Sequence, residues 1–223
     1  GTIAHAVLRH EVADASSSAA LPWLSYRQRA FVWRDQSHPF AQHTLPSSNS
    51  SVAFRSPVAG GLYTIVQDHV VQSRIIFPGA GYLEMARAAA AAALHGVYFL
   101  RPLAVEALSM VAECSVFDGR FEVRSTEADA IDDAAVHCSG ATVTANVWQS
   151  VDYASMRAPS HAADMGLLYD GFDAIGLQYG PGYRTLMQAW GGKRNALAQL
   201  RARSTHEGTQ VHPADLDDAL CTS

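Results

Sequence analysis

The sequence predicts an α+β fold in which antiparallel strands gather around a central helix, with a second such unit starting after a linker. Three observations carry this. Pro78-Gly79 opens a long alanine-rich helical pattern. Short β-branched or aromatic runs, bounded by Gly, Pro or Ser, flank it on both sides. A Pro/His/Ala-rich connector (Ala158 to Ala163) then leads to a second helical pattern.

Residues 1–36 are irregular, a Ser/Ala-rich stretch followed by an aromatic and basic one ending at Trp33, and they read as a linker. A first unit spans 37–150, a connector 151–164, and a second unit starts over 165–223. Val52 to Pro57, Leu62 to Gln67 and Arg74 to Phe77 are predicted strands. In the helix that follows, Tyr82, Leu83, Met85, Ala86, Ala89, Ala90 and Leu94 supply the apolar face, and Gly96 is the expected stop. Its small side chains allow a sheet to come close and wrap around it. Strand signals resume at Leu103 to Val105, Ser109 to Val116, Arg120 to Arg124, Ala134 to Val136 and Ala141 to Trp148, with a hairpin turn at Asp118-Gly119. Asp164 caps a second helix whose Met165, Leu168, Phe172 and Ile175 share one face, and Gly176 ends it. Ala196 to Arg201 reads as a further strand, and one more helix begins after His212.

The composition excludes several classes. Net charge is −5 with Lys and Arg scattered singly, so no basic stripe can track phosphates and nucleic acid is not an expected partner. No apolar run reaches membrane-spanning length and no signal peptide is visible, and the cysteine usage makes a reducing cytosol the default. The chain starts at Gly1 and reads as part of something longer. Its three cysteines, Cys114, Cys138 and Cys221, fit neither a disulfide framework nor a zinc site. Gly79-Ala80-Gly81 lacks a third glycine and a βαβ setting, so it is no nucleotide loop. His137-Cys138 has no partners at metal-ligand spacing.

Two segments can carry acid–base chemistry. His69 stands just before an apolar strand that feeds a helix N-terminus. An imidazole titrates near neutrality, so in an apolar pocket it can accept a proton, and the helix start offers backbone N–H groups, Gly79's among them, to polarise a carbonyl. For any one of ten histidines the bland reading is a satisfied surface residue. Asp215, Asp217 and Asp218 follow His212-Pro213, where carboxylates ordinarily cap a helix and complement its dipole. The functional reading needs Asp217 to enter an apolar pocket, where the protonated form that a general acid requires is favoured. Tyr179-Gly180-Pro181-Gly182 alone is a tight turn.

Taken together and in order, these segments resemble the dehydratase domains of modular polyketide synthases. Ser37-His38-Pro39-Phe40 is similar to the family's His-Pro-Leu-Leu opening, and His69 with Pro78 nine residues on matches its His-x-x-x-Gly-x-x-x-x-Pro motif. Pro78 to Ala86 resembles the start of its first hotdog helix, Val136 to Gly140 a strand near the end of the first hotdog, and Tyr179-Gly180-Pro181 the core of Gly-Tyr-x-Tyr-Gly-Pro-x-Phe. His212 to Asp217 resembles His-Pro-Ala-Leu-Leu-Asp. The departures are Ser73 for a glycine, Leu177 for the second motif's first tyrosine, Tyr183 for its phenylalanine, and Cys221 where Gln or His usually orients the acid. The linker before Trp33 looks like the segment that follows an acyltransferase domain.

The resemblance implies a double hotdog whose second hotdog is incomplete at Ser223. It implies dehydration of a β-hydroxyacyl thioester carried on the phosphopantetheine arm of an acyl carrier protein, with no cofactor. His69 is then the base, Asp217 the acid, and Gly79, Tyr179 and Pro181 bind substrate. Partners would be the acyl carrier protein, neighbouring acyltransferase and ketoreductase domains, and a second copy in a homodimeric synthase. The departures at Ser73 and Cys221 leave open a degenerate domain that only binds carrier protein or holds the synthase together. A double-bond isomerase or cyclase using the same acid–base pair is a further alternative.

Overall fold

The larger layer is built by alternation along its strands. Strand β6 (Met110–Phe117) buries Ala112 and Cys114, and β7 (Arg120–Glu127) buries Phe121 and Val123, every second residue in each case. Asp118 and Gly119 join them with φ of 47° and 69°, the left-handed pair that a two-residue hairpin requires. The computed structural model describes residues 38–46, 51–106, 109–127, 134–143, 152, 154, 161–192 and 196–222. The expected linker over 1–36 and the strand end at Thr144 to Trp148 lie outside the described residues.

With β1 (His43–Leu45), β2 (Ser51–Pro57), β5 (Ala93–Phe99) and β8 (Ala135–Val143), these strands form a six-stranded antiparallel sheet in the order β1-β2-β6-β7-β8-β5. The alanine-rich helix, here α2 (Gly79–Ala90) after a shorter α1 (Gly60–Val66), packs against β2, β5, β6 and β7. Ala80, Met85 and Ala86 are fully buried, so small side chains do let the sheet close on the helix. This is the helix-in-sheet hotdog arrangement. Phe40, Leu62, Val66, Phe77, Phe121 and Val123 fill the space between the layers.

A hairpin of β3 (Val70–Val71) and β4 (Arg74–Ile75) follows α1. The second unit holds β9 (His161–Ala162), α3 (Met165–Ala174), a 3₁₀ turn (Pro181–Tyr183), β10 (Leu186–Gly191), β11 (Ala196–Leu200) and α4 (Pro213–Cys221). Its sheet has the order β11-β10-β9, a smaller counterpart of the first. Asp164 caps α3 as expected, its carboxylate accepting from the N–H groups of Gly166 and Leu167 at 2.8 and 3.2 Å. No helix among the described residues is long and apolar enough to cross a membrane.

Three expectations are corrected. Leu62 to Gln67 is helix α1, not a strand: Leu62, Ile65 and Val66 are buried at helical spacing, so burial of that face overrides their β preference. The long helix ends at Ala90, with Ala91 in the left-handed region at φ 50°, and Leu94 and Gly96 belong to strand β5 instead. Gly96, at φ 57°, sits at the irregularity where β5 shifts register against β8. The separate strands expected at Ala134 to Val136 and from Ala141 are one strand, β8, running straight through His137 to Gly140.

Glu84 on α2 ties the two units together and has no signature in the sequence. Its buried carboxylate accepts from Arg87 at 2.8 and 2.9 Å, pairs with His38 Nε2 at 3.0 Å, and accepts the Gln210 N–H at 2.6 Å. Burial alone would raise its pKa from 4.5, but the bonds from Arg87, His38 and Gln210 outweigh it and hold the group at about 2. A depressed folded-state pKa stabilises the fold above the unfolded value and ceases to do so as pH falls through the folded one. Stability should therefore decline between pH 4.5 and about 2 through this group. Glu84→Gln is expected to lower the melting temperature at neutral pH and to flatten its pH dependence over that window. An unchanged slope in thermal melts of the variant would show that Glu84 is not the titrating group.

Candidate active site

His69 is positioned by α1. Burial of Leu62, Ile65 and Val66 seats the helix, and the His69 N–H closes its end by donating to the Val66 carbonyl at 2.9 Å. The β3–β4 hairpin then folds back, so that Ile76 meets His69 twice: the Ile76 N–H donates to the His69 carbonyl at 3.1 Å, and the Ile76 carbonyl lies 2.6 Å from His69 Nδ1. A carbonyl only accepts, so Nδ1 carries the proton and Nε2 of the neutral ring is a bare lone pair. The hairpin turn puts Gln72 and Ser73 at φ of 49° and 63°, which explains why the related motif has glycine at position 73. Left-handed backbone costs a non-glycine residue about 1–2 kcal/mol. Here the Ser73 N–H and hydroxyl both donate to Gln178 Oε1, at 2.7 and 3.2 Å.

The 3₁₀ turn is fixed against the same segment. Gln72 N–H donates to the Gly176 carbonyl, Gln178 N–H to Val70, and Gly180 N–H to Asp68, at 2.7–2.8 Å. The Asp68 carboxylate accepts the Gly182 N–H at 2.7 Å. A Cβ on Gly180 would stand 2.6 Å from that carboxylate and one on Gly182 2.7 Å, so both glycines are required by close approach. The Tyr179 and Tyr183 rings consequently lie beside the His69 ring, with centroids 5.3 and 5.2 Å away.

Asp217 arrives on α4. His212 Nδ1 accepts the Ala214 N–H at 3.2 Å as N-cap, and Pro213 occupies the first turn, where its missing N–H leaves nothing unpaired. Burial, then the charge of Arg203, lower the His212 pKa to about 4, so the ring stays neutral and keeps the lone pair that the cap uses. Asp215 is held by Arg203 at 2.8 Å. Ala214, Asp217, Asp218 and Cys221 share the inward face, and Ala214 packs on Tyr179 and Tyr183.

Asp217 Oδ2 lies 3.7 Å from His69 Nε2, and both side chains are buried. The same oxygen accepts the Tyr179 hydroxyl at 2.6 Å. Burial, then the Asp217 charge, push the Tyr179 phenol far above its ordinary pKa, so it remains a donor. Cys221 Sγ touches the Tyr179 hydroxyl at 3.5 Å, and burial raises its thiol as well. Tyr183 is almost fully enclosed, yet its hydroxyl has no hydrogen-bond partner; leaving such a group unmet costs about 1–3 kcal/mol.

Among the residues expected from sequence, the structure brings His69, Asp217 and Tyr179 together. Tyr179 bonds Asp217, the contact expected of residue 221. Gly79 is the first residue of α2, three positions beyond Ile76, and a Cβ there would lie 3.3 Å from the Phe99 ring. Pro181 is exposed and starts the 3₁₀ turn, so it shapes the loop rather than lining the pair. Asp68, beside His69 in sequence, was missed; two glycines flanking a proline signal that something approaches them closely, but not what. A separate cavity of about 630 Å³ between α2, β5 and α4, lined by residues such as Leu83, Leu94, Val97 and Leu216, does not include the pair.

Residues 38–136 match the family of polyketide synthase dehydratase domains, and residues 149–222 match the polyketide synthase dehydratase N-terminal domain family. The polyketide synthase ThaG of Burkholderia thailandensis is 32% identical over 175 residues, which are 69% of this chain and 3% of ThaG. The chain thus spans a small part of the curated synthases that it resembles. Among solved structures, the dehydratase domain from the CurF module of curacin polyketide synthase is 22% identical with a TM-score of 0.73, over 83% of this chain and 74% of that one. Two inactive mutants of the CurK dehydratase, one His to Phe and one Asp to Asn, are also similar. Their TM-scores are 0.73 and 0.71 at 21% and 22% identity, over 83% and 82% of this chain and 72% of each of theirs. These likenesses establish the fold, an incomplete double hotdog. Matched along most of its length by the two family models, the chain belongs to the dehydratase domains of polyketide synthases.

Proposed function

We propose that the domain removes water from a β-hydroxyacyl thioester on an acyl carrier protein, giving the α,β-unsaturated thioester, with His69 as base and Asp217 as acid. The observation that carries this is the buried 3.7 Å pairing of Asp217 Oδ2 with a His69 Nε2 whose other ring nitrogen is committed to a carbonyl. The inactive CurK mutants support a His and an Asp as the working groups in a similar domain.

His69 Nε2 takes the α-proton, the freed electron pair forms the carbon–carbon double bond, and the β-carbon–oxygen bond breaks. The leaving hydroxyl takes a proton from Asp217 and departs as water. The imidazolium then returns a proton to the carboxylate facing it. No cofactor enters this balance. The Tyr179 hydroxyl holds one carboxyl oxygen and leaves the other to present the proton. The Gly79 N–H, at a helix start whose first N–H groups lack intrahelical partners, polarises the thioester carbonyl. The acyl carrier protein delivers the substrate, acyltransferase and ketoreductase domains adjoin the domain in a homodimeric synthase, and the reaction takes place in the cytoplasm.

His69→Ala in the full-length polypeptide should lower dehydration of a β-hydroxyacyl carrier protein by ~10²–10⁴-fold or more, with the fold retained at a somewhat lower melting temperature because the bond to the Ile76 carbonyl is lost. Mass spectrometry of the carrier protein, following loss of one water, checks this, and near-normal turnover would remove His69 from the mechanism. Tyr179→Phe deletes the hydrogen bond that orients the Asp217 carboxyl and should lower kcat by ~10–100-fold while KM stays within a few-fold. A change confined to KM would instead make Tyr179 a substrate ligand.

A further inference from the structure

Of the side-chain donors on His69, Tyr179 and Tyr183, one alone has no partner among the described residues. The His69 Nδ1 proton goes to the Ile76 carbonyl, and the Tyr179 hydroxyl goes to Asp217. The exception is Tyr183. Its side chain is 1% exposed, its hydroxyl is unpartnered, and its ring lies 5.2 Å from that of His69 and 5.9 Å from that of Tyr179. Two other buried side-chain atoms among the described residues also lack partners, but neither is a comparable donor. The Tyr82 hydroxyl belongs to the main core, stacked on Phe77, and Asp218 Oδ1 is a carboxylate oxygen whose twin already accepts three bonds.

We infer that the Tyr183 hydroxyl is a substrate-binding group that donates a hydrogen bond to the β-hydroxyl oxygen of the acyl chain, beside the proton delivered by Asp217. This rests on the dehydration reading above. A phenylalanine would fill the same space without leaving a buried hydroxyl unmet, so the oxygen calls for a ligand that meets it. Tyr183 is held firmly: its N–H donates to the Gly180 carbonyl at 3.0 Å, and the turn that carries it is fixed by Asp68. Burial, then the nearby Asp217 charge, push the phenol well above its ordinary pKa, so it is a donor throughout the working range. The β-oxygen has two lone pairs and gains negative charge as its bond to carbon breaks. A fixed donor there acts more strongly in the transition state than in the ground state. It also favours acyl chains that carry the β-oxygen over chains that lack it.

The test is Tyr183→Phe in the full-length polypeptide. In a His69→Ala background, which prevents turnover, the change should weaken binding of β-hydroxybutyryl pantetheine by ~10-fold and leave that of butyryl pantetheine unaltered. With His69 intact, kcat should fall by ~10-fold or more with a smaller change in KM, and the melting temperature should hold or rise. Equal effects on both thioesters, or a melting temperature lower by several degrees, would overturn the assignment, the latter because the hydroxyl would then be a structural bond. Failure of the unsubstituted protein to dehydrate any β-hydroxyacyl carrier protein would overturn the dehydration reading instead, while the affinity ratio still decides Tyr183.

Discussion

Asp68 holds two loops in one place, and the geometry of the site follows from that. Its carbonyl accepts the Gly180 N–H and its carboxylate the Gly182 N–H, while residues 70–72 bond to 176–178 in the same antiparallel direction. The loop bearing His69 and the loop bearing Tyr179 and Tyr183 therefore behave as one short ribbon across the boundary between the two units. A bond that a backbone N–H donates to a carboxylate is stronger than one to a neutral acceptor, and it leaves no side-chain rotamer free on the donor side. The glycines at 180 and 182 are the counterpart of this contact, since any side chain there would displace the carboxylate.

The other half of the site is brought in by α4, and its approach depends on groups remote from the chemistry. Glu84 accepts the Gln210 N–H two residues before the His212 cap, and Asp215 pairs with Arg203 in the first helical turn. Arg203 also reaches the Gly182 carbonyl at 3.3 Å, so the start of α4 and the 3₁₀ turn share a fastening. Asp217 is thus located from both sides, through α2 and through the turn. Such positioning matters because misplacement by about 1 Å can change rate by ~10²-fold.

Much of this was legible in the sequence, and what was not has a common cause. The α2 pattern, the Asp118-Gly119 hairpin and the Asp164 cap depend on neighbours within a few residues, and each stands as read apart from the helix's far end. His69 and Asp217 were reached through ordered motifs, although 148 positions separate them. Helix α1 was misread because Tyr63, Thr64, Ile65 and Val66 favour strand locally, and only the burial of Leu62, Ile65 and Val66 against a distant sheet decides otherwise. Leu94 was assigned to the helix and Gly96 to its end because glycine is the usual local terminator; the pairing of Ala93–Phe99 with β8 ends the helix earlier, at Ala90. Asp68 and Glu84 act through backbone N–H groups 114 and 126 residues away, and a backbone N–H is the same for every residue type except proline. No residue pattern can mark such a partner in advance.

The adjacent carboxylates of Asp217 and Asp218 stand on one helix in different surroundings. Both are buried on α4. Asp218 places one oxygen among three donors, the Thr185 N–H at 2.5 Å, the Thr185 hydroxyl at 2.7 Å and the Tyr169 hydroxyl at 2.9 Å. Tyr169 in turn accepts the Leu186 N–H at 3.0 Å, so Asp218 anchors α3 and the start of β10 to α4. Burial raises its pKa against those bonds, but its contacts are all with protein groups that do not leave. Asp217 instead has one fixed donor, Tyr179, and faces an imidazole lone pair at a distance too long for a hydrogen bond. Both carboxyls are thus held at one oxygen, Oδ2, and what separates them is the neighbour: the His69 imidazole stands 3.7 Å from Asp217, whereas the groups that meet Asp218 are all donors of the scaffold. On the dehydration reading proposed above, that neighbour makes Asp217 the acid of the two, while Asp218 fastens its helix to α3 and the start of β10.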